Sequence, residues 1–387
     1  MITIKKPSLV EAGNKARLCN IIDVNGVSQE LWFEVEKEYA LYLCLERSDA
    51  YVIGLLNWAM RRGDDIRCEV PMGEELHYQL TAYLIPALAK ASKNLYPIHI
   101  FAPLDKNPMP NAGAVGTGLS CGVDSFHVLI NQSESPYSSL NITHLLYNNV
   151  GSHGIGKPES AIKHERISEA CAAEMGYKLI KTDTNFAELF QQVYPQVHTY
   201  SDCFAVYMLQ KLWGVYFYAS SGFEFSEFSL KNNDCKDSAY YDLLSLDCFS
   251  TRSLRIYSEG GAKSRFEKTK MIITYPPARK YLNVCCAEGE NCGKCEKCMR
   301  TLLTLDALNA LDNFAKVFDI AYYRTHRNDY YTWLCVRKMQ GDKMLKESFA
   351  ILFRKTTFFQ WARTFVEITK IFLRKIPFLQ FLRKNTD

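Results

Sequence analysis

At 387 residues, with 48% hydrophobic and 23% charged side chains, the chain has the composition of a folded globular protein with room for two or three domains. No uncharged run approaches the roughly 20 residues that span a bilayer, and Met1–Lys6 reads as a short strand rather than an export signal, so the 14 cysteines are expected to be reduced thiols or metal ligands in a cytoplasmic protein. The net charge of +4 is uneven: from Gly341 onward ten basic residues face four acidic ones, leaving the rest near neutral and disfavouring a nucleic-acid-binding body.

In chain order, Glu30–Leu45 is rich in Trp, Phe, Val and Tyr and predicts a strand. Asp49–Met60 predicts a short helix stopped near Gly63, and Leu76, Leu80, Leu84 and Leu88 predict a helix over Gly73–Ser92. Leu95–Phe101 reads as a strand and Asp105–Asn111 as a linker. Beyond it strands and helices alternate. Ala114–Leu119, Ile142–Tyr147, Lys178–Thr182 and Val215–Ala219 read as strands, with helices near 123–131, 159–175 and 203–212. That alternation predicts a doubly wound parallel sheet whose ligands sit beyond the carboxyl ends of the strands.

The most informative segment joins the first of these strands to its helix. Gly118-Leu119-Ser120-Cys121-Gly122-Val123-Asp124-Ser125 has the layout of a phosphate cradle: backbone N–H groups at a helix N-terminus, two hydroxyls, and a carboxylate suited to Mg²⁺. The Walker pattern GxxxxGK[ST] is absent, and Gly116-x-Gly118-x-x-Cys121-Gly122 only approaches the dinucleotide fingerprint. The run Ser120–Ser125 resembles the SxGxDS loop of the N-type ATP pyrophosphatases, which split ATP between its α and β phosphates and attach AMP to a substrate oxygen. The resemblance implies an adenine nucleotide α-hydrolase-like fold and ATP with Mg²⁺ as cofactors. It places Gly118, Ser120, Cys121, Gly122, Val123, Asp124 and Ser125 at the nucleotide, and Asn149, in a loop after a strand end, joins them. Cys121 stands where the family usually has Gly, adding a side chain where Gly can take a strained φ. At a helix N-terminus its thiol is expected to have a lowered pKa.

A second motif, Cys292-Gly293-Lys294-Cys295-Glu296-Lys297-Cys298, spaces three cysteines for a closed Zn²⁺ site, with Cys285 or Cys286 as the fourth ligand. The strand-like Tyr281–Val284 favours Cys285. Four thiolates also suit an iron–sulfur cluster. Lys294, Lys297 and Arg300 would offset part of the site's charge. The order of the two motifs is similar to that in the cyano-deazaguanine synthase branch of the same superfamily, over roughly residues 112–310.

Lys263, Arg265 and Lys268 follow the Gly260-Gly261 turn and are candidate clamps for the pyrophosphate charge, against the plainer reading of a solvated basic helix start. His153, in a Gly-flanked loop, is weighed as a substrate contact against an ordinary surface histidine. Near the C-terminus, Phe358, Trp361, Phe365, Ile368 and Phe372 fall on one helical face, with Arg363, Lys370 and Arg374 opposite and Pro377 ending the helix. This predicts a helix for an anionic membrane surface or for docking on protein.

The expectation is therefore an α/β protein with an N-terminal α+β module (1–105), an ATP-binding domain (106–284), a zinc knuckle with its helix (285–315) and a basic helical tail (316–387). Its expected activity is ATP-dependent adenylation of a carboxylate or amide oxygen for attack by a nitrogen nucleophile, with Ser120, Asp124, Lys263, Arg265 and Lys268 in catalytic roles. A sulfurtransferase and a non-catalytic, membrane-docking ATP sensor are the alternatives. Expected partners are a small-molecule substrate and a second copy of the chain or a nitrogen-donating protein.

Overall fold

In the computed structural model, the described residues are 1–374 apart from 157, 221, 231–235, 286 and 356. They form an α/β protein of two compact units, Met1–Lys263 and Ser264 onward.

The first unit is built on one mixed sheet of eleven strands with a parallel core. Strands β1 (Ile2–Ile4), β2 (Ser8–Ala12), β3 (Lys15–Val24) and β4 (Val27–Glu36) come first, then β5 (Ile66–Cys68). The two-residue strands β6 (Met72–Gly73) and β8 (Leu104–Asp105) pair apart from the main sheet, and β7 (Ile100–Phe101) lies at its edge. The alternating region supplies β9 (Ala114–Gly118), β10 (His144–Asn149), β11 (Leu179–Thr184), β12 (Trp213–Ala219) and β13 (Arg255–Glu259). The order is β13-β12-β9-β10-β11-β4-β3-β1-β5-β7, with β2 on β3. From β13 to β11 all pairs are parallel, and β4 adds to β11 antiparallel. The chain leaves β9 toward β10 and later crosses back to β12 on the other side of β9. The strand order reverses at β9, so the crevice favoured for ligands lies at its carboxyl end.

Packing explains several departures from the sequence reading. The strand predicted over Glu30–Leu45 ends at Glu36, opposite Lys15 where β3 begins, and a short 3-10 helix over Lys37–Tyr42 follows. The strand predicted over Leu95–Phe101 shrinks to two residues because its partner β5 has only three. The helix expected near 203–212 runs instead over Tyr194–Met208, begun by Pro195 in its first turn. It is buried nearly all round, from Val197 to Met208, and so carries no amphipathic signal. The helix Asp49–Arg62 stops at Gly63, whose φ of 68° is left-handed as the sequence implied. The helical run after Gly73 contains one π-helical turn, Leu80–Leu84. At the centre of the sheet Gly116 has no room for a side chain: a Cβ there would lie 2.6 Å from the fully buried Trp213 ring.

The second unit is helical. Asp306, on the helix Glu296–Ala307, accepts from the hydroxyls of Tyr323 (2.7 Å) and Tyr331 (3.0 Å) and from Arg327 (2.7 and 2.9 Å), tying three helices together. The helix Phe358–Arg374 packs on the helix Arg327–Met339 through Gln360, which donates to Asn328 Oδ1 at 2.7 Å, and through an Arg363–Asp329 ion pair of 2.7 Å. Thr364 is buried in that contact, whereas Phe358 and Phe365 are 82% and 73% exposed. The inward face is thus polar at Gln360 and Thr364, and two of the predicted apolar-face residues point outward. The side chains of Lys370, Phe372 and Arg374, together with Pro377 and all that follows, lie outside the described residues. Among the described residues no helix is long and apolar enough to cross a membrane.

Candidate functional site

The loop after β9 carries the first candidate site. Gly118 ends the strand, Leu119 is buried, and the exposed Ser120 takes its hydroxyl to within 3.4 Å of the Gly122 amide, which donates to it. Gly122 is the N-cap of the helix Val123–Ser133, and no side chain caps that N-terminus. The N–H groups of its first turn lie in the part of the helix where the dipole is positive, a setting that suits an anion. Asp124 is half-buried in the first turn, and Ser125 donates to the Gly122 carbonyl at 3.0 Å while keeping its acceptor capacity.

Cys121 adopts φ = 52°, a left-handed conformation unusual outside Gly, at a cost of about 1 kcal/mol. Its thiol does not behave as expected. The sulfur is fully buried and turned toward Ser168 Oγ, 3.9 Å away on the helix Glu159–Glu174. Burial, with the neighbouring Cys171, pushes the thiol well above its ordinary value, so a reactive thiolate is not formed here.

At the carboxyl end of β10, Asn149 donates to Asp183 Oδ1 at 2.8 Å and to the Gly156 carbonyl at 3.2 Å. It is 3% exposed, and its Oδ1 has no hydrogen-bond partner among the described residues. A buried acceptor left unpaired is costly, and at a strand end it suits a ligand N–H. His153 is half-buried with its ring 4.6 Å from that of His164. Lys263 closes the first unit, its amide donating to the Gly260 carbonyl at 3.2 Å. Arg265 and Lys268 belong to the second unit, on the helix Arg265–Ile272, which opens with a reciprocal Ser264–Glu267 cap. Lys268 is 1% exposed and so is no part of a solvated basic face.

A polar cluster escaped the sequence reading. His198, on the helix Tyr194–Met208, has Nδ1 2.8 Å from Tyr218 Oη and Nε2 3.0 Å from Asp237 Oδ1. Thr199 donates to Asp242 at 2.7 Å, and Asp202 lies on the same helix as His198, where Asn148 and Tyr218 favour its charged form. Burial pushes both Asp202 and Asp242 up to about 6, against the opposing charge of His198. For His198 burial acts downward, but the bond to Asp237 and the charges of Asp242, Asp237 and Asp202 outweigh it and raise the imidazole. The available signal was the four-residue spacing of His198 and Asp202 on one helical face.

The four-cysteine centre lies in the second unit. Cys285, Cys292, Cys295 and Cys298 place their sulfurs within 4.8 Å of one another. The Cys292–Cys298 and Cys285–Cys295 separations are 4.0 and 3.9 Å. A tetrahedron of Zn–S bonds of about 2.3 Å has sulfur–sulfur edges of about 3.8 Å. The group could therefore hold a single zinc ion, whereas an iron–sulfur cluster must fit several atoms between its thiolates. Cys285 is the upstream ligand in this group; Cys286 lies outside the described residues.

The expected strand before Cys285 is absent. The helix Pro276–Tyr281 ends there, and side chains position the ligand instead. Asn291 accepts from the Val284 amide (2.9 Å) and donates to the Leu282 carbonyl (2.7 Å), while Asn283 accepts from the Cys285 amide (3.3 Å). Gly293 makes the bend between Cys292 and Cys295 with φ = 72°, and Tyr330 donates to its carbonyl at 2.7 Å. Hydrogen bonds from Cys298 first, then from neighbouring groups, hold the Cys295 thiol down to about 5, and the same contact pushes Cys298 far up. Without a cation these thiols do not ionise together. Two expected counter-charges have other partners: Lys294 lies over the Tyr322 ring at 4.9 Å, and Arg300 pairs with Glu296 (2.9 Å) and Asp342 (3.3 Å).

Comparison with protein-family models, with curated proteins and with solved structures gives no match to this chain. The functional reading rests on the geometry.

Proposed function

We propose that the chain is an ATP-dependent adenylating enzyme that activates a carboxylate or amide oxygen for attack by a nitrogen nucleophile. The observation that carries this reading is the uncapped helix N-terminus of the Ser120–Ser125 loop, delivered by β9 to the point where the strand order reverses. The leading N–H groups of the helix and the Ser120 hydroxyl hold phosphate oxygens, and Asp124 holds Mg²⁺. Asn149 Oδ1 accepts from the adenine amino group, which gives its buried lone pairs a partner. Lys263, on the turn after β13, is the cation of the first unit for the leaving pyrophosphate. In the reaction a substrate oxygen attacks the α phosphorus, pyrophosphate leaves, and the nitrogen nucleophile then displaces AMP. The adenine nucleotide α-hydrolase-like fold, the deazaguanine-synthase resemblance and a structural zinc ion at the cysteine centre belong to the same reading. The buried, upward-shifted Cys121 thiol weighs against the sulfurtransferase alternative.

Asp124→Asn is expected to lower AMP and pyrophosphate formation about 100-fold or more, since it removes a charge acting on the transition state. Product analysis by anion-exchange chromatography checks this. Formation of ADP in place of AMP, or full turnover by the variant, would sink the proposal.

The outward Phe358 and Phe365 on a basic C-terminal segment favour an added role at the membrane periphery. Cosedimentation with vesicles containing phosphatidylserine is expected, with loss on truncation before Phe358 and weakening at high salt. Equal sedimentation with and without the helix would refute it.

A further inference from the structure

Asn149 and Asp183 are register partners at the last rung of the parallel β10–β11 pair, so two strands of the sheet fix their separation. β9 flanks β10 on its other side, where Leu146 pairs with Gly118 and its carbonyl accepts from the Leu119 amide at 2.8 Å. The carboxyl end of β10 therefore lies beside the Ser120–Ser125 loop.

The Asn149 amide is held in one sense. Its Nδ2 donates to Asp183 Oδ1 at 2.8 Å and to the Gly156 carbonyl at 3.2 Å. A carboxylate and a carbonyl can only accept, so turning the amide over would set its oxygen against two others. Asp183 is held in turn by the Thr184 amide, which donates to the same Oδ1 at 2.9 Å. Asn149 Oδ1 is left on the opposite side of the amide. The residue is 3% exposed and that oxygen has no hydrogen-bond partner among the described residues, so it is a fixed acceptor that lacks a donor.

We infer that Asn149, oriented by Asp183, selects a nucleotide base with an amino group at the purine 6-position and refuses one with a carbonyl there. The inference rests on the nucleotide reading of the Ser120–Ser125 loop. An exocyclic amine gives Oδ1 the N–H it lacks, whereas the 6-oxo group of a hypoxanthine or guanine base brings oxygen against oxygen and leaves both unpaired. A site built on a fixed polar group discriminates strongly for that reason. The Gly156 contact is the longer of the two that Nδ2 makes, and it is the one a base displaces on entry. The Asp183 contact remains and keeps the orientation. Asp183 is thus a positioning residue that acts through Asn149.

Equilibrium dialysis of the full chain with Mg²⁺ and either ATP or inosine triphosphate tests this, since the two differ only at that edge of the purine. No other substrate is supplied. ATP is expected to bind at least about tenfold more tightly. Asn149→Leu, similar in size but without polar atoms, should bring the two affinities within about threefold by weakening ATP alone. Asp183→Ala should narrow the preference in the same way, whereas general damage to the site would weaken both nucleotides and leave their ratio unchanged. It serves also if the first variant does not fold. Equal affinities in the unmutated chain, binding of neither nucleotide, or a preference undiminished in a folded variant would overturn the inference. Selectivity is read from binding and adenylation from products, so the two can fail separately. A preference for ATP with ADP as product would refute adenylation and keep the selector, and equal binding with AMP as product would do the reverse.

Discussion

Removing metal from the four-cysteine centre is expected to melt the segment from Leu282 into the helix Glu296–Ala307 and to destabilise the second unit strongly. The described residues of 282–295 form no helix or strand. They are held by asparagine side chains, by the Gly293 bend and by four sulfurs at zinc-like spacing. Structural zinc contributes on the order of 10 kcal/mol of apparent binding free energy at neutral pH, and such sites transfer it to folding. Without the ion, thiols 3.9–4.0 Å apart keep protons or repel one another. Elemental analysis should find about one zinc per chain. Chelation, or Cys298→Ser, should expose thiols to a colorimetric reagent and lower the melting temperature of this unit. The first unit carries its own core and should keep its transition. Metal-free protein that melts at the same temperature would refute a structural ion.

The second large effect is a loss of stability as pH rises from about 4 to about 7, originating at His198, Asp202 and Asp242. The two carboxyls are ordinary near 3.8 when unfolded and about 6 when folded. Between those values the folded chain keeps protons that the unfolded chain has lost, so stability falls as pH rises and the penalty is complete above about 6. His198 is raised as well, so its contribution is full below its unfolded value near 6.5 and is lost as pH climbs through the folded value. All three slopes have the same sign. Each raised carboxyl corresponds to at most about 3 kcal/mol, and the shared charge of His198 reduces the total. Asp242→Asn should flatten the profile and stabilise the protein at about pH 7.5 by on the order of 2 kcal/mol. Urea unfolding across the pH range measures this. A profile that rises between pH 4 and 7, or one unchanged in the variant, would contradict the assignment.

Local chemistry made much of this protein legible from its residues. The Ser120–Ser125 run declared a helix N-terminus, because small residues followed by an apolar helix leave its N–H groups open. The parallel strands β9 to β12 were readable from alternation with helices. The strand β13 was not: Arg255 and Tyr257 face outward, and only Ile256 is deeply buried, so its pattern is too short to stand out. The cluster around His198 was hidden for another reason. Its members come from residues 148, 198, 202, 218, 237 and 242, and the crossing from β11 to β12 gathers them only in the folded chain.

The sequence by itself determined three ligands of the candidate metal centre, Cys292, Cys295 and Cys298, since CxxCxxC spacing allows one turn of backbone to chelate, while the fourth was left between Cys285 and Cys286. It also determined that Cys121 would occupy a position suited to Gly. Tertiary structure decided the direction of the Cys121 thiol, which turns away from the helix N-terminus into a buried contact with Ser168 and so loses the reactivity its sequence position suggested. It likewise decided which face of the C-terminal helix is exposed, because Gln360 and Arg363 found partners on the helix Arg327–Met339 and left Phe358 and Phe365 largely solvent-accessible. Ligand spacing and loop chemistry are local properties of the chain. Burial and electrostatic surroundings depend on residues far apart in it, and those are set only when the elements pack.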